Sequence, residues 1–154
     1  LVRLGDAAGS AGDLGRALAW LDTAIETNPQ DAAAYLYRGI AKIRKRSLDG
    51  TEEDLSTSIA LLGQEEEATR TKAAKIGRRY VDAWQDVGAD LTDVLDLKAK
   101  ALQNRILVSW MTNKCEQAKG DISELDRTLK LLRREPADGA KKAITLVQEK
   151  CSSK

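Results

Sequence analysis

Histidine is absent from the 154 residues. With it go the commonest general base, the usual imidazole metal ligand and every Ser-His or Cys-His nucleophilic pair. Phenylalanine is absent too, and there are only two prolines. Proline breaks helix interiors, so its scarcity favours long uninterrupted helices. The glycines stand singly and never form a phosphate-binding loop between a strand and a helix. No apolar run approaches the ~18 residues that a membrane span needs, and no basic-then-apolar leader opens the chain. Charge of one sign is missing as well: 25 basic side chains face 24 acidic ones, a net +1. That balance is too even to argue for a nucleic-acid or anionic-membrane partner by global charge. What is present is 32% charged and 42% hydrophobic residues, which describes an amphipathic all-α chain of single-domain length. No enzyme and no cofactor are expected.

The helices follow from apolar spacing and turn residues. The first runs from about Leu1 to Ala8 and ends in Gly9-Ser10-Ala11-Gly12. The second, about Asp13 to Thr27, carries Leu14, Leu18, Leu21 and Ile25 on one stripe and stops at Asn28-Pro29. Asp31 is placed to cap a third, about Ala32 to Lys45, and Thr51 with Asp54 resembles a capping box for a fourth, about Glu52 to Leu62. Lys72 to Val87 reads as the first helix of a third unit, with Ala73, Ile76, Gly77, Tyr80 and Trp84. From Asp90 a long helix is expected. Val94, Leu97, Ala101, Asn104, Val108, Met111, Cys115, Ala118, Ile122, Leu125, Leu129 and Leu132 fall on a three-and-four spacing, a coiled-coil-like seam with one polar member. Leu95, Leu102, Ile106 and Trp110 form a second stripe, so the first half of this segment should be sandwiched and the second half one-sided. Gly120-Asp121 is a candidate break, and Pro136 opens the last helix, to about Cys151.

Gly5 and Gly39 lie 34 residues apart in similar surroundings. The order Leu1, Leu4, Gly5, Ala8, Gly12, Ala17, Leu18, Leu21, Ala24, Ile25, Pro29 resembles a tetratricopeptide repeat, a helix-turn-helix unit of about 34 residues. Tyr35, Gly39, Leu55, Ile59 and Leu62 make a looser second copy, and Gly77 marks a degenerate third. The resemblance implies an α-solenoid of antiparallel helix pairs over residues 1–88, with a divergent helical region over 89–154. Because Leu1 already sits inside a repeat, a fragment with further repeats upstream is expected. The resemblance also implies a non-catalytic scaffold or adaptor that takes a partner peptide or helix in a concave groove. Mapped to matching positions, the groove would be lined by Val2, Ala33, Leu36, Ile40, Ile43, Ala74, Arg78 and Val81. Two other roles stay open: an accessory domain of a larger signalling protein or enzyme, and a phosphate- or RNA-binding helical module.

That last role would use the basic run Lys42, Arg44, Lys45 and Arg46 with Arg78 and Arg79. Cations near a helix C-terminus also simply complement the helix dipole, and no aromatic residue interleaves the run, so nucleic acid is not the expected partner. Glu52-Glu53-Asp54 and Glu65-Glu66-Glu67 lack the alternating spacing and central glycine of a calcium loop, and no metal site is expected. Cys115 and Cys151 face apolar stripes on different helices. Bonded, they place the protein in the periplasm or cell exterior; as two buried thiols they fit the cytoplasm. The 94–132 seam is also a candidate homodimer interface, with Asn104 setting its register.

Overall fold

In a computed structural model, residues 1–76 and 81–152 are described; side chains are described for 1–75 and 88–152. Among these residues there are seven helices and no strand: α1 (Val2–Ser10), α2 (Leu14–Thr27), α3 (Ala32–Arg44), α4 (Thr51–Ile76), α5 (Val81–Met111), α6 (Cys115–Leu132) and α7 (Asp138–Cys151). The chain is all-α.

The early boundaries fall where local chemistry puts them. Asp13 caps α2 by accepting from the Arg16 N–H at 3.0 Å. Asp31 caps α3 by accepting from Ala33 and Ala34 N–H at 3.0 and 3.2 Å, satisfying two of the donors that a helix start leaves orphaned. The turn into α2 uses Gly12 at φ 87°, a left-handed conformation that costs glycine nothing.

Three expectations need correction. First, Thr51 and Asp54 form no capping box. The Thr51 hydroxyl donates to the Ser47 carbonyl at 2.9 Å, and the Asp54 carboxylate is taken by Arg38 and Lys42. Second, α4 does not stop at Leu62. It runs through Gly63, where a Cβ would meet nothing within 4 Å, and on to Ile76. The helix expected over 72–87 is therefore split between the end of α4 and the start of α5, and the boundary expected at 88/89 lies inside α5. Third, the long seam is broken not at Gly120-Asp121, which lie within α6, but at Thr112, Asn113 and Lys114, where Asn113 takes φ 62°. The seam folds back on itself as the α5–α6 hairpin. Val94, Ala101, Val108, Ala118, Leu125 and Leu129 are buried within the chain, so a straight 94–132 surface is not there to pair two copies.

Consecutive helices pack together, and the odd-numbered helices also touch one another: α1 on α3, α3 on α5, α5 on α7. The core comes in three blocks along this row. Ala17, Leu21 and Ala41 join the first two hairpins. Leu36, Leu55 and Leu62 pack against Val94, Ala101 and Val108 of α5. Leu102, Ile106, Leu125 and Leu129 pack under Ala140, Ala143 and Val147 of α7. Beyond Leu62, Glu66 is the one buried side chain among residues 63–75, and none is buried over 88–93. Residues 63–75 of α4 thus form a charged, largely exposed arm whose root is fixed by ion pairs. Lys98 lies 2.8 Å from Glu66 and 2.7 Å from Glu124, linking α4, α5 and α6.

Candidate functional site

The residues expected to line a groove on the early helices do not form an open one. Leu36 is fully buried, and Ile40 and Ile43 pack half-buried on the cluster that α5 completes. The helix that fills this space is the chain's own, through Val94, Leu97 and Ala101. Val2 and Ala33 are half-buried, and Ala74 lies exposed on the arm. Arg78, Arg79 and the side chain of Val81, like Gly77, Tyr80 and Trp84, lie outside the described residues and side chains.

The basic run is partly neutralised. Lys42 Nζ lies 2.8 Å from Asp54 Oδ2, leaving Arg44, Lys45 and Arg46 exposed. Arg38, which the sequence did not single out, donates to Asp54 through Nε and Nη2 and to Asp22 through Nη1. The bond to Asp54 holds the Arg38 guanidinium well above its already high ordinary pKa, against the cost of burial. These groups tie helices together.

An open concavity lies further along, between α5 and α7. Gln103, Asn104 and Leu107 of α5 face Gly139, Ala140, Lys142, Ala143 and Leu146 of α7 across a trough of about 400 Å³. Residues 103, 104 and 107 share one face of α5 by the three-and-four spacing. On the α7 side the lining includes a glycine and alanines, which leave the space between the helices unfilled. The trough continues into a cleft of about 210 Å³ under the α6–α7 connection, sharing Gln103 and Ala137 and adding Asp96, Lys100, Arg134 and Glu135. Arg134 bonds Asp96. Lys100 meets no carboxylate among the described residues; its ammonium lies over the Tyr37 ring, 4.6 Å from the centroid. Lys142 has no ion-pair partner among the described residues.

Asn104, the polar member of the seam, lies in this trough. Its Nδ2 donates to the Lys100 carbonyl at 2.8 Å, so the amide finds a partner within its own helix. The amide of Gln103 stands beside it. Sequence spacing marked Asn104, but nothing in it marked Gln103, Lys142 or Leu146, because the wall they share is made by residues about 40 positions apart.

Among the described residues no group of three or more acidic or cysteine side chains is placed to hold a metal ion, and no helix is long and apolar enough to cross a membrane. Cys115 and Cys151 are bonded, with Cα atoms 5.7 Å apart, joining the start of α6 to the end of α7 beyond the trough. No family model and no curated protein matches the chain.

Proposed function

We propose that the protein is a non-catalytic interaction module, a tetratricopeptide-like stack of helical hairpins that docks an extended segment of a partner protein in the α5–α7 trough. The carrying observation is the pair of adjacent primary amides, Gln103 and Asn104, on the wall of an open, small-floored trough. A primary amide offers a donor and an acceptor together, which matches the alternating groups of an extended backbone. Lys142, without an ion-pair partner among the described residues, favours an acidic side chain on that segment. Leu107 and Leu146 supply apolar contact.

The solenoid reading is supported by repeated geometry. A Cβ on Gly5 would come within 2.6 Å of Leu21 Cγ, and one on Gly39 within 3.0 Å of Leu55 Cδ2. Both pairs are sixteen residues apart, and the two are offset by 34. The Cys115–Cys151 bond supports an oxidising compartment such as the periplasm or cell exterior.

Selection of a random heptapeptide library on the oxidised protein tests the docking role. Enriched peptides should carry Asp or Glu, and Leu107→Asp or Lys142→Glu should weaken their binding by about tenfold or more. The triple change Arg44→Ala, Lys45→Ala, Arg46→Ala should leave it within about twofold at 0.15 M salt. No enrichment, or enrichment indifferent to the trough variants, refutes the assignment.

A further inference from the structure

Helix α7 is held unevenly along its length. At its start, Ala137 supplies no capping side chain. Its buried residues are Ala140, Ala143, Val147 and Cys151, and the two alanines bury one methyl group each. A 14-residue helix is too short to persist alone in water. The firm attachments gather at the far end. There Cys151 is bonded to Cys115, and Lys150 Nζ donates to the Trp110 carbonyl at 2.9 Å while lying 5.3 Å from the Trp110 ring centroid.

The two cysteines differ in exposure. Cys151 is buried and Cys115 half-buried, and both border a surface cavity of about 520 Å³ with Asn113, Lys114, Gln117 and Lys119. Cys115 is also the first residue of α6, where the helix dipole favours a thiolate. Lys119 adds positive charge one turn on, partly offset by Glu116 at 3.1 Å.

We propose that Cys115–Cys151 is a redox latch that keeps α7 in place as the second wall of the peptide trough. Since α7 is one of its two walls, this rests on the docking role assigned above. A dithiol, small or protein-borne, enters by this cavity, attacks the sulfur of the more exposed Cys115 and expels the Cys151 thiolate, which takes up a proton. The second thiol of the reagent then attacks its own sulfur in the mixed disulfide. That closes the oxidised reagent and releases Cys115 as a thiolate at the head of α6. Two electrons pass from dithiol to disulfide, and both cysteines end reduced. α7 then depends on its small apolar face and the exposed Lys150–Trp110 contact; it opens, and the wall carrying Lys142 and Leu146 is lost.

Hydrogen exchange of the full chain with and without dithiothreitol tests the latch directly. Exchange of α7 amides should speed up by a factor on the order of 10²–10³, the loop-closure factor for a closed loop of this length, with α1 to α4 unchanged. The Cys115→Ser, Cys151→Ser double variant should behave like the reduced protein without any reagent. Retained protection in α7 means that packing alone holds it, and overturns the latch. Equal loss in every helix shows a staple for the whole fold, and overturns it too. A selected peptide, fluorescein-labelled, should lose its affinity when the protein is reduced; unchanged affinity overturns latch control of binding. If the oxidised protein selects no peptide, the docking role fails, while the exchange result still decides whether α7 is latched.

Discussion

Arg105 grips Asp121 with two teeth, Nη2 to Oδ1 at 2.6 Å and Nε to Oδ2 at 2.9 Å. Arg38 grips Asp54 in the same way, atom for atom, at 2.6 and 3.0 Å. Each pair spans sixteen residues and crosses from one helix of a hairpin to the other, α3 to α4 and α5 to α6. The aspartates are nearly buried, at 4% and 6% of side-chain exposure. Removing one partner of such a pair leaves an uncompensated charge. Arg105→Ala should therefore cost about 3 kcal/mol of unfolding free energy in urea. Arg105→Lys should recover only part of it, because an ammonium cannot make the forked bond. Stability equal to that of the unaltered chain in either variant would remove the clamp from the account of the third hairpin.

Leu36 and Ile40 give a second outcome. Leu36→Ala removes a fully buried side chain from the α3–α4–α5 core and should cost about 2–5 kcal/mol. Ile40→Asp drives a carboxylate against the same cluster and should lower the thermal midpoint sharply. A native-like melt for Ile40→Asp would mean that α5 does not close this space and that an open groove exists on the early helices.

The Glu66–Lys98–Glu124 bridge sets a pH window. Burial alone would raise the Glu66 pKa, but hydrogen bonds from Lys98 and Arg70 outweigh it, and the net shift is below the ordinary 4.5. Burial alone would lower the Lys98 pKa, but Glu124 and Glu66 outweigh it, and the net shift is above the ordinary 10.5. A depressed carboxylate contributes stability above its unfolded pKa and loses it as pH falls through the folded value. A raised ammonium contributes below its unfolded pKa and loses it as pH rises through the folded value. The bridge should thus contribute fully between about pH 4.5 and 10.5. Urea titrations should show Lys98→Met flattening the alkaline loss, and Glu66→Gln flattening the acid loss. Unchanged slopes would show that other groups govern both limits.

Ser109 supplies a prediction of opposite sign. Its hydroxyl is buried in α5 and makes no hydrogen bond. Replacing an unpaired buried hydroxyl with hydrogen removes a desolvation cost, so Ser109→Ala should be neutral or stabilising, by up to about 1 kcal/mol. A loss above that size in a urea melt would show that the hydroxyl has a partner.

By itself the sequence determined the helical class and the ends of the early helices. Each rests on local chemistry. Asp13 and Asp31 cap the helices that follow because their carboxylates reach N–H groups two or three residues on. Asn28-Pro29 ends α2 because proline cannot continue a helix. Cys115 and Cys151 were the one pair available, but bonded and free thiols stood equally open until the fold set their Cα atoms 5.7 Å apart. Tertiary structure decided where the long helices turn and which surface stays open. Gly120 looked like a break and the fourth helix was expected to end before Gly63, but both glycines lie inside helices: a glycine costs a helix only about 1 kcal/mol, which packing of the helix as a whole outweighs. The 94–132 seam read as one line because a three-and-four spacing passes unchanged through a three-residue turn. Only Asn113 at φ 62° reverses the chain there. Upstream of that turn α5 lies against Leu36 and Ile40, closing the groove that the repeat pattern implied. The turn at Asn113 and a second at Arg133, φ 53°, set Gln103 and Asn104 opposite Lys142 and Leu146, a pairing that no local pattern encodes.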